Sequence, residues 1–158
     1  MAQVKLLLGT DVVVDCLCKQ GDDYRENRLM MIAGRVGEFD LWITAVQMVD
    51  LLNVLSEGGK PDLVPRALEQ LRGLRTFVQI HGLDASQIDR VLATSWKSPK
   101  HSLLFEAAMD LRADFIVTHD ASAFESNLVK IADPRGVFSW LEETFELAYD
   151  DEGIEPSE

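Results

Sequence analysis

The chain has 158 residues, 47% of them apolar and a formal charge of −12, enough for one domain with a proper core. The charge excludes a generic nucleic-acid coat, and no apolar run approaches the roughly 18 residues of a membrane span. The N-terminus lacks the charged segment, apolar run and small-residue cleavage site of a secretory leader, so a cytoplasmic protein is expected.

The first segment, VKLLL (residues 4–8), is short and apolar throughout and reads as a buried strand. VVVDCLCKQ (12–20) continues as a helix in spite of its β-branched run. It carries both cysteines, Cys16 and Cys18, whose spacing suits neither a metal knuckle nor a disulfide. Reduced thiols, one or both buried, are the expectation. In DDYRENRLMMIAGRVGEF (22–39), Tyr24, Leu29, Ile32, Ala33 and Val36 fall near helical spacing, with Gly37 as the stop. DLWIT (40–44) reads as a second strand, AVQMVDLLNVLSE (45–57) as a helix ended by Gly58 and Gly59, and LVPRALEQLRGL (63–74) as another helix.

TFVQIHGL (76–83) is strand-like in its Phe77, Val78 and Ile80. A helix follows in DASQIDRVLATSW (84–96), capped by Asp84 or Ser86, and another in KHSLLFEAAMDLR (100–112). ADFIVTHD (113–120) reads as a strand, ASAFESN (121–127) as a loop or short helix, LVKIADP (128–134) as an edge strand and GVFSWLEETFELAY (136–149) as the last helix. From residue 142 onward there are eight acids and no base; without them the chain is only at −4. A single domain over residues 1–148 and an acidic, disordered tail over 149–158 are therefore expected.

Strands alternating with helices imply an α/β domain, a mostly parallel sheet with helices on both faces. Ligands of such sheets bind beyond the carboxyl ends of the strands. Those ends carry Gly9, Thr10 and Asp11, then Thr44, then Thr118, His119 and Asp120, with Asp50 one turn into a helix. Carboxylates gathered there suit Mg²⁺ or Mn²⁺, hard ions that take oxygen ligands and activate water. Helix capping is the competing explanation for the same residues.

Three stretches resemble a PIN domain, the nuclease fold of many bacterial toxin–antitoxin toxins, over residues 5–141. LLLGTDVVVDCL is similar to the family's opening strand, usually Asp-Thr-Asn followed by aliphatics and a second Asp. ITAVQMVDLLNVL is similar to its second motif, a Ser or Thr with Glu six residues on. HSLLFEAAMDLRADFIVTHDASAF is similar to its third, an Asp-headed helix, an Ile-Val-Thr strand and a polar pair. The resemblance implies a three-layer α/β/α fold and a metal-dependent ribonuclease site.

The departures from that pattern lie at the acids. The first falls on Gly9, the second on Asp50 in place of Glu, the third on His101 and a later one on Ala123; Asp11 stands where Asn is common, and Asp15 matches the downstream Asp. Two readings follow. In one, the metal site is lost or weakened and the protein binds RNA or an antitoxin-like protein, with Lys97, Lys100, His101 and the base-stacking ring of Trp96 as binding residues. In the other, Asp11, Asp50 and Asp120 hold Mg²⁺ or Mn²⁺ while Thr118 orients water or phosphate. Gly9 also has a plain reading as a tight-turn glycine. His81 and His119 read as structural and Trp42, Trp96 and Trp140 most simply as packing residues, Trp96 being the one placed to stack a base, and a homodimer is implied by the resemblance alone.

Overall fold

The computed structural model describes residues 3–145. The expected acidic tail at 149–158 and the expected domain end at 148 lie outside the described residues. Five strands, β1 (Val4–Leu8), β2 (Phe39–Thr44), β3 (Val78–His81), β4 (Phe115–Val117) and β5 (Lys130–Ala132), form one sheet in the order β3-β2-β1-β4-β5. All four pairings are parallel, with Leu6 opposite both Leu41 and Phe115. The expected edge strand is thus β5, and the short-helix reading of ASAFESN is met by a single 3-10 turn at Ala121–Ala123.

Seven helices cover the sheet: α1 (Thr10–Leu17), α2 (Tyr24–Arg35), α3 (Ala45–Leu55), α4 (Val64–Arg75), α5 (Ala85–Ala93), α6 (Pro99–Leu111) and α7 (Pro134–Phe145). The strand period of two divides the core. Leu6 and Leu8 of β1 turn to one face, where Val12, Met30, Leu51, Leu71 and Leu141 pack from five helices. Leu7 turns to the other, against Phe105, Ala108 and Leu111 of α6 and Phe124. Central strands buried on both faces must be apolar throughout, and this is why VKLLL shows no alternation.

Helix ends follow local chemistry. Gly37, at φ +83°, stops α2 in a conformation that only glycine adopts freely. Thr44 and Asp84 each head a reciprocal cap with a glutamine three residues on, Gln47 and Gln87. Cys16 is half-buried and Cys18 exposed; burial pushes the Cys16 thiol up to about 11, against the lowering charges of Arg35 and Arg28, and keeps it protonated. No helix among the described residues is long and apolar enough to cross a membrane.

Gly34 sets how closely α2 approaches the sheet. A Cβ there would fall on the Leu41 side chain, 2.9 Å from its Cγ. Gly34→Ala therefore trades a helix-propensity gain of about 1 kcal/mol for an overpacking cost of about 1–3 kcal/mol. Urea denaturation is expected to show a net loss; a gain in stability would mean that Leu41 repacks without strain.

Candidate functional site

Connections run from β1 to one side of the sheet and from β4 to the other, so the switch of direction falls between these neighbours, where an open α/β sheet leaves a crevice. The crevice is a cavity of about 200 Å³ lined by Gly9, Thr10, Asp11, Thr44, Gln47, Asp50, Lys100, His101, Thr118 and Asp120, with Val46, Leu103 and Leu104 as its apolar wall. Of the residues singled out from sequence, Asp11, Asp50, Lys100, His101, Thr118 and Asp120 are brought together here. Trp96 and Lys97 are not. The Trp96 ring is held between Phe105, at 5.2 Å, and the edge of Phe124, at 6.3 Å, and the Lys97 amide donates to Glu125 Oε2 at 2.6 Å. Trp96 is a packing residue like Trp140, whose ring meets Phe115 at 5.2 Å.

Gly9 is buried, at φ −69° and ψ 153°. Any residue adopts that conformation, so the tight-turn explanation of this glycine does not hold. The constraint is space. A Cβ would sit 2.5 Å from Asp11 Oδ1, 3.0 Å from the Val117 carbonyl and 3.1 Å from Thr118 Cβ. Asp11 is fixed there by three donors: Thr118 Oγ1 at 3.0 Å, the His119 amide at 2.8 Å and His119 Nδ1 at 3.0 Å.

Asp50 is carried by α3, whose start is tied to the end of β1. Gln47 completes the Thr44 cap and donates to the Leu8 carbonyl at 2.6 Å and to Thr10 Oγ1 at 3.4 Å. This glutamine escaped the sequence reading, although a Thr followed by Gln three residues later is a capping-box signal. Asp50 Oδ2 is fully buried and takes no well-aligned hydrogen bond among the described residues. The Lys100 ammonium lies 2.8 Å from it. The contact is a charge pairing rather than an aligned hydrogen bond.

Lys100 and His101 occupy the first turn of α6. Ser98 caps that helix, accepting from the His101 amide at 3.5 Å, and Pro99 opens it. The His101 ring is set by Ser98 Oγ, 2.5 Å from Nδ1, and by the edge of Phe124; its Nε2 faces Asp120 Oδ2 at 3.2 Å. The Asp120 amide in turn donates to Thr118 Oγ1 at 3.1 Å.

His119 joins this cavity to a second cluster. Its Nδ1 faces Asp11 and its Nε2 faces Asp23 Oδ2 at 2.7 Å, with Asp23 only 4% exposed. Among the described residues, Asp15, Asp23 and His119 offer ligand atoms within 4.8 Å of one another, the spacing of a group able to hold a metal ion. Asp23 gave no signal in the sequence, because its role depends on a loop–loop contact with a residue 96 positions away.

Burial lowers the affinity of His119 for its proton, but the hydrogen bonds to Asp23 and Asp11 and the charges of both outweigh it, and its pKa is raised. A raised value means that the protonated ring stabilises the fold fully below its ordinary value, about 6.5, and that this contribution is lost as pH rises through the higher folded value. The melting temperature is expected to fall as pH rises above the ordinary histidine value of about 6.5, and to fall less in Asp23→Asn, where one of the two partners has lost its charge. Identical slopes in the two proteins would remove His119 as the cause.

The comparisons with known proteins agree with this architecture. The sequence profile described as PIN domain matches residues 5–122. No curated protein sequence matches. Among solved structures, VapBC2 from Rickettsia felis bound to a DNA fragment from their promoter is similar over 82% of this chain and 98% of that one, at 14% identity and a TM-score of 0.61. DNA-bound VapBC from Salmonella typhimurium is similar over 84% and 99%, at 15% identity and a TM-score of 0.62. At such identity these two likenesses concern the fold. The profile match covers most of the chain, and with the five-stranded parallel sheet and the crevice between β1 and β4 it establishes that the chain belongs to the PIN domain family.

Proposed function

We propose that this PIN domain works by binding a protein partner of the antitoxin type and that its strand-end cavity is lost or weakened as a metal site. The observation that carries the reading is the pairing of each carboxylate in the cavity with the protein itself. Asp11 is occupied by Thr118 and His119, Asp50 by Lys100 and Asp120 by His101. PIN domains generally use Mg²⁺ or Mn²⁺, ions that need several oxygen ligands converging at short distance. The donor set here does not fit that need. Gly9 supplies no ligand, His101 prefers softer metals, and Asp50 and Asp120 each face a basic side chain. No catalytic step through a metal follows from such a set.

A protein partner is favoured over RNA on charge. Lys100 is engaged with Asp50, Lys97 lies outside the cavity, and the lining itself holds three acids, Asp11, Asp50 and Asp120, against two bases, Lys100 and His101. A phosphate backbone finds little attraction in such a cleft. Two solved neighbours in this fold are VapBC assemblies bound to DNA, which supports a partnered mode of action for this chain. A cytoplasmic homodimer belongs to the same reading.

The second reading is a Mg²⁺- or Mn²⁺-dependent ribonuclease using Asp11, Asp50 and Asp120 with Thr118. The convergence of these four residues on one cavity favours it. Incubation of a mixed structured and single-stranded RNA pool with Mn²⁺, and separately with EDTA, separates the two. The binding reading expects no cleavage above that of an Asp50→Asn, Asp120→Asn double variant. Cleavage that needs metal and disappears in the variant would overturn it in favour of the ribonuclease.

A further inference from the structure

We infer that Lys100 is the resident cation of the cavity, a positioning residue whose ammonium balances the buried Asp50 oxygen and keeps a divalent ion off it. The inference rests on the binding reading above and adds the residue that maintains it. Three observations carry it.

The first is the state of Asp50. The Asp50 side chain is 31% exposed, but its Oδ2 is turned inward, and a buried oxygen without a well-aligned hydrogen bond is costly unless a charge compensates it. Among the described residues that charge is the Lys100 Nζ, 2.8 Å away. An ammonium suits the task, being a compact point charge on a flexible stem.

The second is the place of Lys100 on its helix. The first turn of a helix favours acids and disfavours bases, because the unpaired amides there carry partial positive charge. The first turn of α6 holds no acid, yet holds Lys100 and His101 in succession. Both side chains turn to carboxylates of other elements, Asp50 on α3 and Asp120 after β4. Bases at this helix end are set by the cavity and not by the helix.

The third is the neighbourhood. A divalent ion entering beside Asp50 would meet the Lys100 ammonium at the same oxygen and would feel twice the repulsion of a monovalent one. The Lys100 side chain is 62% exposed, so its head can be displaced and exclusion is graded rather than absolute.

Metal-stripped protein titrated with Mn²⁺ alone, followed by the loss of the free-ion electron paramagnetic resonance signal and by the melting temperature, tests the inference. The wild type is expected to bind Mn²⁺ only weakly through Asp50. Lys100→Ala is expected to bind Mn²⁺ at least about tenfold tighter, as removal of one charge beside a divalent ion in a partly solvated cleft predicts. The gain is expected to vanish in Lys100→Ala, Asp50→Asn, while Lys100→Arg behaves as wild type. Ions held by Asp15, Asp23 and His119 would be insensitive to Asp50→Asn and are separated in this way. Should the alanine variant not fold, Lys100→Met keeps the stem and removes the charge. Asp50-dependent Mn²⁺ affinity no higher in Lys100→Ala than in the wild type, or absent from both, would overturn the inference. So would an Asp50-independent gain. Neither result touches the binding reading while the wild type leaves RNA intact, whereas RNA cleavage would sink that reading directly.

Discussion

The Gly9 amide donates to the Val117 carbonyl at 2.7 Å, and this bond holds the end of β1 beside the end of β4. Two strands whose connections leave in opposite directions must part above that point, and the gap between their loops is the cavity. Everything that lines it reaches it from one of four strand or helix ends: the start of α1, the start of α3, the first two turns of α6 and the loop after β4. Gln47 tightens the arrangement by tying the start of α3 to the Leu8 carbonyl.

Charge then decides what the cavity does. Carboxylates gathered at one end of a parallel sheet repel one another and need positive charge nearby. A metal ion is one source; side chains are another. Here the Lys100 ammonium stands against Asp50 and the His119 ring, its proton affinity raised, against Asp11. The chain's formal charge of −12 says little about this local balance, since the excess is concentrated from residue 142 onward.

The fold was legible because its signals are local. Apolar runs marked the buried strands, helical spacing marked α2, and the stretch from residue 101 to 124 carried helix, strand and turn in order. The lining of the cavity was legible where it follows from strand ends, as at Asp11, Thr118 and Asp120, or from one turn of helix, as at Asp50. What stayed hidden depends on distance in the chain. Asp23 meets His119 across 96 positions, and the choice between packing and stacking for Trp96 is settled by its contacts with Phe105 and Phe124. Gly9 was visible as an oddity, but its cause, an occupied volume with ordinary backbone angles, was visible only in three dimensions.

That volume has a consequence for how the sequence can change. The Asp11 carboxylate stands where a side chain at position 9 would begin, and three hydrogen bonds hold it there. Any residue larger than glycine must therefore arrive together with a rearrangement at position 11, which in turn releases Thr118 and His119. Position 9 is in this way coupled to position 11, and the space at one is set by the side chain at the other.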